Sequence, residues 1–198
     1  MIGKARAYAE KHGAEASLKV IPSKFLVEFM DGASLEEDED FQNIWAKALA
    51  GESEKPGSFS LKTLAILKQM TQKEAEVFKR AANYVIVQES NNDYFLPSNA
   101  ICKYFPLDDV LLLNEAGLIS YTSNVFCDLK TKETGIIENF VCSNTNIIAS
   151  IDMPIYKFVS LEIYTLTRAG REIYSLMENI WCDATYHDEW TDTLKNRA

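Results

Sequence analysis

The feature that most constrains the fold is a change in residue pattern at Gly117. Before Gly117, apolar residues recur at the three- and four-residue spacing of helices that bury one face. After it, runs rich in β-branched and aromatic residues alternate with polar or Gly- and Pro-containing turns, a pattern typical of short strands. We therefore expect an α+β fold that is mainly α, with a helical amino-terminal half followed by a small antiparallel sheet.

The most clearly marked helix follows a run of five acidic residues, 36–40. Negative charge is favourable there because it meets the positive end of the helix dipole. Ser34 and Glu37 have the spacing of a capping box that would begin this helix, and Gly51 stands where a cap would end it. The apolar residues expected on its buried face are Phe41, Ile44, Trp45, Ala48 and Leu49.

Similar signals predict the remaining elements. Further helices are expected over residues 1–20, 22–32, 60–70, 71–85, 106–117 and 167–177. A loop is expected over residues 91–98, where Asn, Asp, Pro and Ser cluster. The expected strands are Leu118–Tyr121, Ile136–Val141, Asn146–Ile151 and Ile155–Tyr164.

One part of the chain contains a distinctive set of short motifs. They are Phe41-Gln42-Asn43-Ile44-Trp45-Ala46-Lys47-Ala48-Leu49-Ala50-Gly51-Glu52, Pro56-Gly57-Ser58-Phe59-Ser60, Thr63-Leu64, Glu74-Ala75 and Phe78. These motifs resemble the signature of a bacterial family known only as a domain of unknown function, specifically over residues 35–90 and loosely over the rest. The resemblance implies a bacterial or phage-borne protein, and it carries over no catalytic residue because none is established for that family.

Two shorter pieces, Leu113–Ile119 and Leu166–Ile173, resemble the ends of a winged-helix domain. In that fold a third helix ends in Gly, a β wing follows, and a Leu-Thr step starts the next helix. The two pieces are farther apart than an ordinary two-stranded wing, so the resemblance implies a winged-helix-like unit with an enlarged sheet. The expected organisation is a helical region (residues 1–57), a winged-helix-like domain (58–180) and an aromatic tail or helix (181–198).

The charge balance disfavours binding to nucleic acids or to lipid surfaces. The chain has 20 Lys and Arg against 29 Asp and Glu, a formal net charge of -9. The third helix of the winged-helix-like domain would carry Asp108, Asp109 and Glu115 and no basic residue, which opposes entry into a major groove. A DNA-binding transcriptional regulator is the alternative. It would use Lys62, Lys68, Lys73, Lys79, Arg80, Lys130 and Lys132.

The sequence carries no common signature of catalysis: it lacks a Gly-rich phosphate loop, a G-x-S-x-G elbow and an H-E-x-x-H helix. The spacing of the four cysteines, Cys102, Cys127, Cys142 and Cys182, does not form the close pairs of structural zinc sites, and we expect free, mostly buried thiols. We therefore expect no enzymatic activity, no cofactor and no metal. An enzyme whose site is assembled from scattered carboxylates remains open.

Protein contacts are the hypothesis that remains. Trp181, Tyr186 and Trp190 fall within ten residues, and such large rings need a surface to pack against. They would either complete the domain's own core or bind a second copy or another protein. No apolar run is long enough to span a membrane, and residues 1–15 lack the apolar stretch of a signal peptide. We expect a cytoplasmic, non-enzymatic protein–protein interaction or regulatory module that does not bind membranes and could form homo-oligomers.

Overall fold

The computed structural model describes residues 2–12, 20–88, 92–120, 126–130, 140–142, 158–182, 185–186, 188–190 and 192. For residues 126–130, 140–142 and 158–161 the description covers the backbone. The helices are α1 (Ile2–Lys11), α2 (Ser23–Ala33), α3 (Glu39–Glu54), α4 (Leu61–Gln69), α5 (Gln72–Ala82), α6 (Ser98–Tyr104), α7 (Leu107–Glu115) and α8 (Arg168–Leu176). The strands are β1 (Ile86–Gln88), β2 (Asp93–Pro97), β3 (Ile119–Ser120), β4 (Phe126–Lys130), β5 (Phe140–Cys142) and β6 (Phe158–Leu166).

These elements form a mainly helical α+β fold, which confirms the predicted fold class. The chain divides into two compact units. Unit 1 contains Met1–Thr71 and Arg168–Met177, and unit 2 contains Gln72–Thr167 and Glu178–Ala198. The predicted winged-helix-like domain of residues 58–180 thus includes residues of both units. Its boundaries, and those of the 1–57 and 181–198 regions, stay a prediction.

Unit 1 is built around Trp45, a fully buried side chain in the middle of α3. The indole meets the ring of Phe29 edge to face, with centroids 5.6 Å apart. Gly32 of α2 lies so close to this indole that an added Cβ would be 2.6 Å from its Cη2 atom. The prediction that the helix over residues 22–32 stops at Gly32 is therefore wrong: α2 continues to Ala33, and Gly32 lies inside the helix, where it serves close packing.

Both predicted ends of α3 are also wrong. The helix is capped by Asp38, whose carboxylate accepts a hydrogen bond from the Phe41 amide at 3.1 Å. Ser34 instead follows the end of α2. At the other end, α3 continues past Gly51 to Glu54. A Cβ on Gly51 would be 2.9 Å from the ring of Phe59, so this glycine also serves packing.

Unit 2 contains the antiparallel sheet, in the order β3-β6-β2-β1-β5, with β4 also paired to β6. This confirms the predicted small antiparallel sheet. Sequence analysis missed β4, the β1–β2 hairpin and α6. The predicted helix over 71–85 is α5, which ends at Ala82, and the predicted loop over 91–98 contains β2 and the start of α6. The predicted strand Asn146–Ile151 lies outside the described residues.

Two observations contradict the expected free, mostly buried thiols. Cys102 is a free thiol, but it is exposed. Cys182 is disulfide-bonded.

Among the described residues, no helix combines the length and the apolar character that crossing a bilayer requires.

Candidate functional site

The position of α7 is fixed at its carboxyl end by a left-handed turn at Gly117, where φ is +72°. The Leu118 amide donates to the Leu113 carbonyl at 3.0 Å, and the Gly117 amide donates to the Asn114 carbonyl at 3.0 Å. These two bonds form a Schellman motif, which satisfies carbonyls that the helix leaves open. The predicted Gly cap at this position is confirmed.

Thr167 holds the chain that follows α7. Its hydroxyl donates to the Gly117 carbonyl at 2.6 Å, and its amide donates to the Leu118 carbonyl at 3.0 Å. Ile119 of β3 is paired with Leu166 of β6. The structure therefore brings Gly117–Ile119 next to Leu166–Thr167. These two ranges belong to the two pieces of sequence on which the winged-helix resemblance rests. The winged-helix assignment itself stays a prediction.

The outer face of α7 is apolar and acidic. Leu107 is 64% exposed, and Leu111 lies one turn later and is also exposed. Asp108 and Glu115 are exposed beside them. Because α7 contains no Lys or Arg, this face presents two leucines beside two carboxylates, and α7 adds no positive charge to it. It is the candidate site of unit 2.

A cleft of about 580 Å³ lies in unit 2, lined by residues of α5 and by Asp109 of α7. Its lining side chains are Lys73, Glu76, Val77, Lys79, Arg80, Asn83 and Asp109. Arg80 forms an ion pair with Asp109 and lies over the ring of Phe105, 5.5 Å from its centroid. The cleft thus contains both basic and acidic side chains, and the positive charge of Arg80 is neutralised by Asp109.

The basic residues proposed for DNA binding fall into separate groups. Lys62 and Lys68 lie on α4 of unit 1, and Lys68 forms an ion pair with Asp31. The hydrogen bond to Asp31 raises the pKa of Lys68. Lys73, Lys79 and Arg80 lie on α5 of unit 2 and line the cleft together. The side chain of Lys130, and the whole of Lys132, lie outside the described part of the chain.

The three aromatic residues of the tail have different environments. Tyr186 and Trp190 are buried in unit 2, whereas Trp181 is 71% exposed. The Tyr186 hydroxyl donates to the Tyr84 carbonyl at 3.0 Å, and burial raises the pKa of Tyr186 well above its usual value. The Trp181 amide donates to the Asn83 side-chain carbonyl at 2.9 Å. Because Asn83 lines the cleft, the exposed Trp181 lies next to it.

Unit 1 contains two acidic side chains that sequence reasoning did not single out, and both hold the segment between α3 and α4. Glu52 is buried and accepts hydrogen bonds from the Gly57 amide at 2.7 Å and from the Phe59 amide at 3.1 Å. Glu172 of α8 accepts from the Ser60 amide at 2.7 Å and from the Thr63 hydroxyl. Glu52 lies within the stretch that resembles the family signature, but no neighbouring residue in the sequence indicates that it is buried.

The pKa of Glu172 reflects two opposing causes. Burial raises the pKa, but hydrogen bonds from Ser60, Thr63 and Arg168 outweigh it, so the pKa is lowered overall. A carboxylate held ionised by three donors stabilises structure and is a poor proton carrier at neutral pH. Among the described residues, no group of three or more His, Cys, Asp and Glu side chains could hold a metal ion.

Residues 6–104 match a family described as "Protein of unknown function (DUF2806)". Because the match covers half of the chain, the protein belongs to this family, which confirms the resemblance to a domain of unknown function. The matched segment includes Glu52 and the turn that it holds, and it ends before α7. No curated protein and no solved structure matches the chain. Its bacterial origin stays a prediction.

Proposed function

We propose that this protein is a non-enzymatic protein–protein interaction or regulatory module that binds its partner through the outer face of α7. The observation that carries the proposal is the exposure of Leu107 and Leu111 on consecutive turns, beside the exposed Asp108 and Glu115. Exposed apolar side chains that are grouped and rimmed by charges are typical of interaction surfaces. The partner would present an apolar surface flanked by basic residues, since complementary charges favour association.

Trp181 is the one member of the proposed aromatic contact residues that presents most of its surface to solvent. Tryptophan is enriched among the residues that dominate binding energies, because its large ring buries much area with few rotatable bonds. We propose that Trp181 contributes to partner binding. Tyr186 and Trp190 are buried in unit 2, and they would act by supporting that surface.

The absence of enzymatic activity remains part of the proposal, and the environments of Glu52 and Glu172 support it. Glu52 and Glu172 are occupied by hydrogen bonds to the chain between α3 and α4. Their oxygens stabilise that segment, which leaves them poorly placed to act on a substrate.

DNA binding is the second candidate, because Lys73, Lys79 and Arg80 line one cleft. Against it, Glu76 and Asp109 line the same cleft, and Asp109 is paired with Arg80. The acidic face of α7 would repel phosphates close by. If DNA were the ligand, Lys73→Glu with Lys79→Glu would abolish salt-sensitive retention of the protein on random-sequence duplex DNA.

The proposal is tested by replacing both exposed leucines, Leu107→Asp with Leu111→Asp, and comparing proteins cross-linked to the purified chain in a native-cell lysate. Leu61→Asp is the matched control, because Leu61 is also exposed and also begins a helix. We expect proteins with basic surfaces to be retained by the wild type and the control and lost from the double variant. Equal capture by all three chains would contradict a role for α7.

A further inference from the structure

The exposed apolar side chains of this protein are concentrated around α2. Half of the large exposed apolar residues among the described positions fall between residues 20 and 35. Val27 is 66% exposed, and Leu26 and Met30 lie beside it on the same side of the helix. Val20, before α2, and Leu35, after it, are exposed as well. Such grouping, in contrast to scattered exposure, marks an interaction surface.

The inner face of α2 already has its partners, so the strip is not part of the core. Phe25, Phe29, Gly32 and Ala33 are buried within unit 1. At 100° per residue, Val27 lies directly opposite this buried set. The strip therefore faces away from unit 1.

A charged strip runs along α2 beside the apolar one. Its residues are Lys24, Glu28 and Asp31, spaced at i, i+4 and i+7, and all three are exposed. The positive charge is near the amino-terminal end of the helix, and the two negative charges are nearer the carboxyl end. Asp31 forms an ion pair with Lys68, whereas Lys24 has no ion-pair partner among the described residues.

We propose that the α2 surface binds a second copy of this chain, with the two α2 helices antiparallel. A two-fold axis perpendicular to both helices keeps each charged strip on the same side and reverses its direction. With the axis beside Val27, Lys24 of each copy meets Glu28 and Asp31 of the other. The same axis places Leu26, Val27 and Met30 of the two copies against each other, so one symmetry operation satisfies both strips.

A parallel pair would not have this complementarity. A two-fold axis along the helices places the charged strips on opposite sides of the pair, where Lys24 meets no acidic residue of the other α2. The distribution of charge along α2 therefore selects the antiparallel arrangement. This surface belongs to unit 1 and α7 belongs to unit 2, so self-association and partner binding can fail independently.

The test is the mass of the full-length protein by sedimentation equilibrium at concentrations up to about 100 μM, far above a dissociation constant of micromolar order. We expect a dimer for the wild type and a monomer for Val27→Asp, with Leu61→Asp as a dimeric control. Val27 is exposed within one chain, so its replacement should leave the fold and a cooperative melting transition intact, which circular dichroism would check. The melting temperature of the variant should lose only the part that dimerisation adds, which depends on protein concentration.

A charge exchange tests the register. Lys24→Glu should raise the dimer dissociation constant roughly fivefold to tenfold, because the contacts of Lys24 with Glu28 and Asp31 are lost in both copies. Adding Glu28→Lys to Lys24→Glu should restore part of that loss, since the contact between positions 24 and 28 is re-formed with its charges exchanged while Asp31 stays acidic. A monomeric wild type, a dimeric Val27→Asp variant, or a failure of the second exchange to restore association would each overturn the proposal. A monomer whose α2 surface binds a different protein would overturn it as well.

Discussion

The carboxylate of Glu172 accepts a hydrogen bond from the hydroxyl of Thr63, a fully buried side chain in the first turn of α4. The same carboxylate accepts from the amide of Ser60, the residue that caps α4. Glu172 lies in α8, more than a hundred residues away in the sequence, so this contact joins the two chain segments that make up unit 1. Together with Glu52, it fixes the segment that connects α3 to α4.

Replacing Glu172 with Gln should therefore destabilise the protein. The variant keeps one acceptor oxygen but loses the charge that strengthens the bonds from Ser60, Thr63 and Arg168. We expect a loss of about 1–2 kcal/mol in the free energy of unfolding at pH 7, measured by urea denaturation. Glu37→Gln is the matched control, because Glu37 is exposed. Equal stabilities of the two variants would show that Glu172 does not support the fold.

The same carboxylate gives the stability a pH dependence of known sign. The pKa of Glu172 is lower in the folded state than its ordinary value, about 4.3. Its contribution is therefore fully present above pH 4.3 and is lost as the pH falls through the lower, folded-state pKa. In urea denaturation between pH 7 and pH 3, the wild type should lose more stability than Glu172→Gln. Parallel profiles for the two chains would argue against this account.

A methyl group at Gly32 should be costly, because its Cβ would be 2.6 Å from the buried indole of Trp45. Gly32→Ala is expected to destabilise the protein by about 1–3 kcal/mol, since overpacking in a close-packed core forces its neighbours to move. Gly3→Ala is the control. A Cβ added to Gly3 in α1 would have no neighbour within 4 Å, so alanine there should be neutral or stabilising. If close packing is the cause, thermal melting should show a lower melting temperature for Gly32→Ala alone. If helix propensity alone mattered, neither variant should melt at a lower temperature than the wild type.

The capping of α3 offers a direct contrast between sequence and structure. Asp38→Ala should cost about 1 kcal/mol, because it removes the acceptor for the Phe41 amide. Ser34→Ala should cost little, because Ser34 is exposed and follows α2. If urea denaturation gave the larger loss for Ser34→Ala, the capping box predicted from the sequence would be the correct one.

The tail supplies a matched pair of tryptophans. Trp190 is buried and its ring lies 6.1 Å from that of Phe95, so Trp190→Ala should destabilise unit 2 by about 3–5 kcal/mol. Trp181 is mostly exposed, and Trp181→Ala should leave the melting temperature almost unchanged.

Deletion of residues 181–198 removes the buried Trp190, so it should abolish cooperative melting of unit 2. Retention of a cooperative transition after that deletion would show that the tail is dispensable for the fold.

Local signals in the sequence were enough to predict the fold class and several helix boundaries. Ser60 caps α4 by accepting from the Thr63 amide, and Gly117 ends α7 in the left-handed conformation. These features depend on a few adjacent residues, so they can be inferred without tertiary structure. The acidic residues of the α7 face were also visible in the sequence, although the exposure of Leu107 and Leu111 was not.

The errors arose where distant packing decided the conformation. Gly32 and Gly51 were interpreted as helix ends, but each lies inside a helix against an aromatic ring of another segment. The hairpin of β1 and β2 was missed because its strands are only 3 and 5 residues long, too short for a clear alternation. Glu172 could not be identified because its partners are distant in the sequence.

The central claim is that α7 binds protein and not DNA. The most direct test places a photoreactive cross-linking residue at position 111 in one variant and at position 73 in another, and expresses each variant in living native cells. The account predicts an adduct at Leu111 that is destroyed by protease and resists nuclease. An adduct at Lys73 that nuclease destroys, with none at Leu111, would contradict it and support the DNA-binding alternative.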